Sequence, residues 1–168
     1  STAVLKAVPL FAGCSDEQLR LLTPVVGRKS VSRSAMVLAA GDLTDSLYIV
    51  LSDRLKVMMS DAEGKEVILS ILGPGEFFGE MGLIDDAPRS ASAAAIESCE
   101  LLFIAKRDFK KALADNFEMT MAVMRGLVRR LRDADRKIGS LALLDVYGRV
   151  ARLLLDMSET VNGQKMVT

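Results

Sequence analysis

Apolar residues recur with two different periods along the chain, and the change of period divides it. Ser15-Asp16-Glu17-Gln18-Leu19 opens a helix: Ser15 is a capping residue, and acids fill the first turn. Leu19, Leu21, Leu22 and Val25 follow at mixed spacing suited to packing on a sheet, and Gly27 is the expected stop. A short helix or turn, broken at Val8-Pro9-Leu10-Phe11, precedes it. From about Arg28 to Ile104 the period falls toward two, which predicts strands at 30–33, 36–38, 46–51, 54–59, 66–72, 90–95 and 100–104. Gly41-Asp42, Asp61-Ala62-Glu63-Gly64 and Gly73-Pro74-Gly75 supply turns between them. Many short, evenly spaced strands point to a sandwich or jelly-roll barrel.

Past the strands the period returns to helical. Arg107–Leu113 begins one helix, and a longer one starts after Asp115-Asn116. In it Phe117, Thr120, Met124, Leu127, Leu131, Ala134, Ile138 and Leu141 fall alternately three and four residues apart, a heptad seam. So narrow a stripe suits a parallel homodimer better than packing on the helix's own domain, because a core-facing helix shows a wider apolar face. The expected interface is Met124, Leu127, Leu131, Ala134, Ile138 and Leu141. The arginines around it are interleaved with acids and lack aromatic neighbours, so they read as a solvated flank. Gly139-Ser140 reads as a hinge, and 143–157 as a further amphipathic helix.

Charge and composition remove function classes. Lys+Arg and Asp+Glu are equal at 22 each, so no basic excess advertises a nucleic-acid surface. No apolar run spans a bilayer, and no export signal opens the chain. There is no histidine, which removes the usual general base and most zinc sites. Two distant cysteines, Cys14 and Cys99, argue against a disulfide framework or an iron–sulfur cluster and fit a reducing, cytoplasmic setting. An enzyme is therefore not expected, and no metal or cofactor is called for.

One stretch carries ligand chemistry. In Phe78-Gly79-Glu80-Met81-Gly82-Leu83 the glycines let backbone approach a ligand, and a short helical turn anchored by Leu83 and Ile84 presents unpaired N–H groups to a phosphate. Arg89 adds a fork for two phosphate oxygens and Ser90 a hydroxyl. Glu80 would repel phosphate but accept from a sugar hydroxyl, so the set describes a sugar phosphate.

Phe78-Gly79-Glu80-Met81 with Arg89-Ser90-Ala91 resembles the phosphate-binding cassette of the cyclic nucleotide-binding domain, in the form found in the bacterial catabolite activator (cAMP receptor protein) and FNR-type transcription regulators. The likeness runs from Pro9-Leu10-Phe11 to Gly148-Arg149. It implies an α+β, mainly β fold: a jelly-roll domain over 1–115, a dimerisation helix over 116–139, and over 140–168 a hinge with the start of a C-terminal winged helix-turn-helix domain. It implies that Arg89 and Ser90 hold a cyclic phosphate, Glu80 the ribose 2′-OH, and Gly79 and Met81 contribute backbone groups. Asp53 stands where the family usually has Gly, at a turn an Asp tolerates. The base-contacting helix positions read Ala134 and Asp135. Asp135, an acceptor only, suits the adenine amino group, the guanine N1–H and N2–H₂ edge, or an ion pair with Arg132 or Arg136. The implied effector is cAMP, with cGMP and cyclic di-GMP as alternatives, and a ligand-independent dimerisation scaffold as the competing class. The implied partners are a second copy, DNA through a domain expected to lie beyond a truncated end, and RNA polymerase; no membrane is implied.

Overall fold

The structure is a computed structural model that describes residues 2–43, 45–89, 91–161 and 164–167, with side chains as far as Ser158. By internal contacts the chain forms two units, Ser1–Val123 and Met124–Thr168.

The first unit is a β-roll with helices at both ends of its sequence. Helices α1 (Thr2–Lys6) and α2 (Asp16–Leu22) lead into strands β1 (Val26–Val31), β2 (Met36–Leu38), β3 (Ser46–Ser52), β4 (Leu55–Ser60), β5 (Glu66–Leu72) and β6 (Phe77–Phe78). The short helix α3 (Glu80–Asp85) interrupts the sheets, then come β7 (Ser92–Ala95), β8 (Cys99–Ala105) and α4 (Lys106–Asp115). Two four-stranded antiparallel sheets result, ordered β1-β8-β3-β6 and β2-β7-β4-β5. Their inner faces share Val31, Val50, Leu55, Leu72, Phe78, Ala93, Ala95, Cys99 and Leu101, with Tyr48 and Val57 packed against this core. Leu47, Ile49, Leu102 and Ile104 alternate with the core-facing positions and are also buried. Helix α4 contacts β3 and β8, which explains why these two strands are apolar on both sides.

Ser15 caps α2 as expected. Its hydroxyl accepts from the Gln18 N–H, and the Gln18 side chain accepts from the Ser15 N–H, a reciprocal capping box. Leu19 and Leu22 bury, whereas Leu21 is exposed. Gly27 does not stop this helix. A 3-10 turn (Thr23–Val25) follows α2, and Gly27 lies inside β1 opposite Phe103. A Cβ on Gly27 would lie 2.2 Å from the tip of the Phe103 ring, so the ring occupies the space a side chain would need. Phe103 in turn tilts against Tyr48 at 6.3 Å, and Tyr48 stacks on Phe78 at 5.3 Å. Gly27→Val is expected to displace this aromatic row and lower stability by about 1–3 kcal/mol, read as a shift in the denaturation midpoint at unchanged m-value.

Asp53 adopts φ 64° at the β3–β4 turn, the left-handed conformation expected for a residue standing in for glycine.

Helix α5 (Phe117–Asp156) spans 40 residues without interruption. The expected break at Gly139-Ser140, and the separate helix after it, are not found. An interior glycine costs about 1 kcal/mol, and the flanking Lys137, Leu141, Ala142, Leu143 and Leu144 are good helix formers that outweigh it. Within the first unit Met119 and Val123 are buried, and Asn116 holds the turn into the helix. Its side-chain amide donates to Cys14 Sγ at 3.0 Å, and its Oδ1 accepts from the Met119 N–H at 3.1 Å. An antiparallel pair, β9 (Ser158–Val161) and β10 (Gln164–Val167), follows α5. Residues 162 and 163, between the two strands, lie outside the described residues.

Candidate functional site

Sheet pairing brings the start of β3, the β6–α3 junction and the segment before β7 together. Phe77 and Phe78 pair with Ile49 and Tyr48 and bury their rings, which fixes the chain at the point where it turns. Gly79 then takes φ 90°, a left-handed conformation that a side chain would strain, and serves as the N-cap of α3 without a side-chain cap. Leu83 is fully buried and anchors the helix, while Ile84 is exposed and takes no part in that anchor. The opening N–H groups of α3 therefore follow a glycine that leaves backbone approach open.

Arg89 lies over this glycine. A Cβ on Gly79 would be 3.0 Å from Arg89 Nη1, 3.3 Å from Nη2 and 3.1 Å from the Ser46 carbonyl oxygen. The guanidinium is thus folded back across the cassette, half-buried. Its backbone is fixed on both sides: the Arg89 N–H donates to the Asp42 carbonyl at 2.9 Å, and the Arg89 carbonyl accepts from the Gly41 N–H at 2.8 Å. Burial lowers the pKa of the guanidinium; Tyr48, Asp45, Asp42 and Glu80 act the other way without cancelling the shift. Arginine stays protonated regardless. Burial, and then Asp45, raise the Tyr48 pKa, opposed by Arg89.

Glu80, the first residue of α3, is 2% exposed. At the other end of α3, Asp86 takes φ 56° and binds Lys106 and Lys110 of α4. Hydrogen bonding to Lys106, and then the lysine charges, hold the Asp86 carboxyl below its ordinary pKa. The cassette is tied in this way to the helix that precedes α5.

Of the residues expected at the site, Gly79, Glu80, Met81 and Arg89 are brought together, with the Met81 side chain exposed. Ser90 lies outside the described residues. Ala134 and Asp135 are both exposed in the second unit, where Arg136 binds Asp133. Met124, Leu131, Ala134, Ile138 and Leu141 are exposed as well, and Leu127 is half-buried. Asp42, Asp45 and Tyr48 were not foreseen as part of the site. Gly41-Asp42 is visible in sequence as a turn and Tyr48 as a strand residue, but only strand pairing and the hydrogen bonds of the 41–42 turn set them near Arg89.

An open groove of about 180 Å³ lies between α2, α4 and the first turn of α5, lined by Leu22, Val25, Ala112 and Met119 among others. It shares no residue with the cassette and holds no converging set of phosphate donors, so the sugar-phosphate chemistry stays with Arg89. Among the described residues no group of three His, Cys, Asp or Glu could hold a metal ion, and no helix is long and apolar enough to cross a membrane.

Comparison with known proteins agrees with this geometry. Residues 28–116 match the cyclic nucleotide-binding domain family. The chain is 35% identical to the cyclic AMP receptor protein of Thermus thermophilus over 91% of its length and 71% of that protein's. It is 30% identical to the CRP-like cAMP-activated global transcriptional regulator of Mycobacterium tuberculosis, over 96% of this chain and 72% of the relative. The crystal structure of the Thermus thermophilus catabolite activator protein superposes with a TM-score of 0.74 at 35% identity, covering 89% of this chain and 70% of that one. These relatives are named as receptors and transcription regulators, not as enzymes.

Proposed function

Because the chain belongs to the cyclic nucleotide-binding domain family and, within it, to the transcription regulators of the cAMP receptor protein type, we propose that it is the cAMP-sensing part of a homodimeric regulator. The observation that carries this reading is the half-buried Arg89 fork lying across Gly79. A cyclic phosphate would be held by Arg89, Ser90 and the opening N–H groups of α3. Glu80 would accept from the ribose 2′-OH, and Gly79 and Met81 would contribute backbone groups. Ala134 and Asp135 would face the base, and an exposed Asp135 keeps cGMP in the comparison.

The dimer is proposed through Met124, Leu127, Leu131, Ala134, Ile138 and Leu141. Its support is an apolar seam left largely exposed in a single chain. The proposed division is a sensing roll over 1–115, a dimer helix over 116–139, and over 140–168 the lead into a DNA-binding domain. Since α5 is unbroken through Gly139-Ser140, the boundary there would be one of role rather than of secondary structure. The aligned region spans 71% of the Thermus relative, and contacts with DNA and RNA polymerase are proposed for the part of the regulator outside it. A cytoplasmic location goes with that role.

Ligand binding would act through differential affinity, favouring the arrangement of α4 and α5 in which the cassette closes on the phosphate. The ion pairs from Asp86 to Lys106 and Lys110 give the cassette a direct hold on α4.

Isothermal titration with cAMP, cGMP and cyclic di-GMP tests the assignment. Saturable binding of cAMP, at least tenfold tighter than the other two, is the expected result, a preference of about 1.4 kcal/mol. A chain that binds none of the three would be a dimerisation scaffold instead.

A further inference from the structure

Asp42 and Asp45 stand outside the cassette, yet both lie near enough to its cation to act on it by charge. The Asp42 turn is joined to Arg89 by the two backbone hydrogen bonds described above. Asp45 immediately precedes β3, whose first carbonyl, that of Ser46, borders Gly79 on the same side as the Arg89 fork. Both aspartates are exposed, whereas Glu80 is buried. The groups that act on Arg89 by charge are Tyr48 and these three carboxylates.

Resting on the reading of the cassette as a phosphate site, we infer that Asp42 and Asp45 form a charge filter that admits a phosphodiester monoanion and rejects a phosphomonoester dianion. The first negative charge meets the guanidinium fork and the opening N–H groups of α3 at contact range. A second charge on the same phosphorus exceeds what the one fork neutralises and lies among carboxylates. Repulsion of this kind separates ligands of nearly equal size and shape, which attraction alone does poorly. It suits one discrimination in particular. A cyclic 3′,5′-phosphodiester carries a single charge, whereas its ring-opened monoester carries about 1.5 to 2 at neutral pH, with a second ionisation near pH 6. Because the two aspartates are exposed, the filter weakens as salt shortens the screening length.

The test compares cyclic 3′,5′-AMP with 5′-AMP by isothermal titration, on the unsubstituted chain and on Asp42→Asn/Asp45→Asn. The unsubstituted chain is expected to favour the cyclic ligand strongly at about pH 7.5. The substitution is expected to narrow that ratio about tenfold, chiefly by tightening 5′-AMP, the effect of one unit charge across several ångströms near a protein surface. Lowering the pH to about 5.5, where 5′-AMP becomes a monoanion, is expected to narrow the ratio in the unsubstituted chain and to change it little in the variant. Should the double variant fail to fold, the single substitutions and the salt dependence of the unsubstituted ratio decide the matter. Binding of cyclic AMP with a ratio indifferent to substitution, pH and salt overturns the filter and leaves the nucleotide site standing. Failure of the unsubstituted chain to bind cyclic AMP overturns both.

Discussion

Arg89→Ala is expected to abolish binding of cyclic nucleotide, and Arg89→Lys to weaken it at least a hundredfold. In the alanine variant the phosphate would lose its guanidinium partner in a half-buried site; breaking a fully buried pair from one side costs about 3–5 kcal/mol, so even a discounted loss is roughly 10²-fold in affinity. Lysine restores the charge but not the fork. The Arg89 nitrogens lie 3.0 and 3.3 Å from the Cβ position of Gly79, so the guanidinium plane spans the glycine, and a single ammonium cannot reproduce two parallel hydrogen bonds from there. The fold should survive both changes, because the Arg89 backbone hydrogen bonds to Gly41 and Asp42 do not involve the side chain. Titration calorimetry with circular dichroism reads both statements. Binding retained within a few-fold by Arg89→Ala would mean that the phosphate sits elsewhere.

The second large effect lies on α5. Leu131→Glu combined with Ile138→Glu is expected to convert the proposed dimer to monomer at micromolar concentration without unfolding the roll. The two side chains are 62% and 65% exposed in the single chain, so neither belongs to its core. Burying such a side chain contributes about 1.5–3 kcal/mol, and a two-fold interface buries each residue twice, so four side chains are at stake: about 6–12 kcal/mol before any cost of burying the new charges. Met119 is the control on the same helix. It is fully buried, so Met119→Glu should destabilise the first unit itself. Light scattering coupled to size exclusion separates the cases: a monomer that melts at the original temperature for the seam variant, a lower melting temperature for Met119→Glu. A seam variant that remains dimeric would place the interface elsewhere.

Sequence alone located β3, β4 and β5 to within a residue or so, because each is an apolar-rich run of six or seven positions bounded by turn residues. It misplaced β1, since Gly27 is a common helix terminator and only the Phe103 ring, far along the chain, gives it a place in a strand. Strand β6 has two residues, too few for any period to register. The helix through Gly139-Ser140 was read as two because one unfavourable residue is visible locally, while the propensity of a whole helix is a sum. The cassette was legible because Gly79, Glu80 and Arg89 are close in sequence and each has chemistry that suits a sugar phosphate. Tyr48, Asp42 and Asp45 were not, because the pairing of β3 with β6 and the hydrogen bonds of the 41–42 turn bring them there.

The unbroken course of α5 makes chain length along it a setting of rotational phase. Each residue advances a helix by about 100°, so one insertion between Met124 and Leu141 would turn every later side chain a quarter of the way round or more. Leu143, Val146 and Val150 would then present themselves on a different bearing relative to the seam. An insertion of seven residues, close to two full turns, nearly restores the bearing and is the kind of length change this part of the chain can absorb.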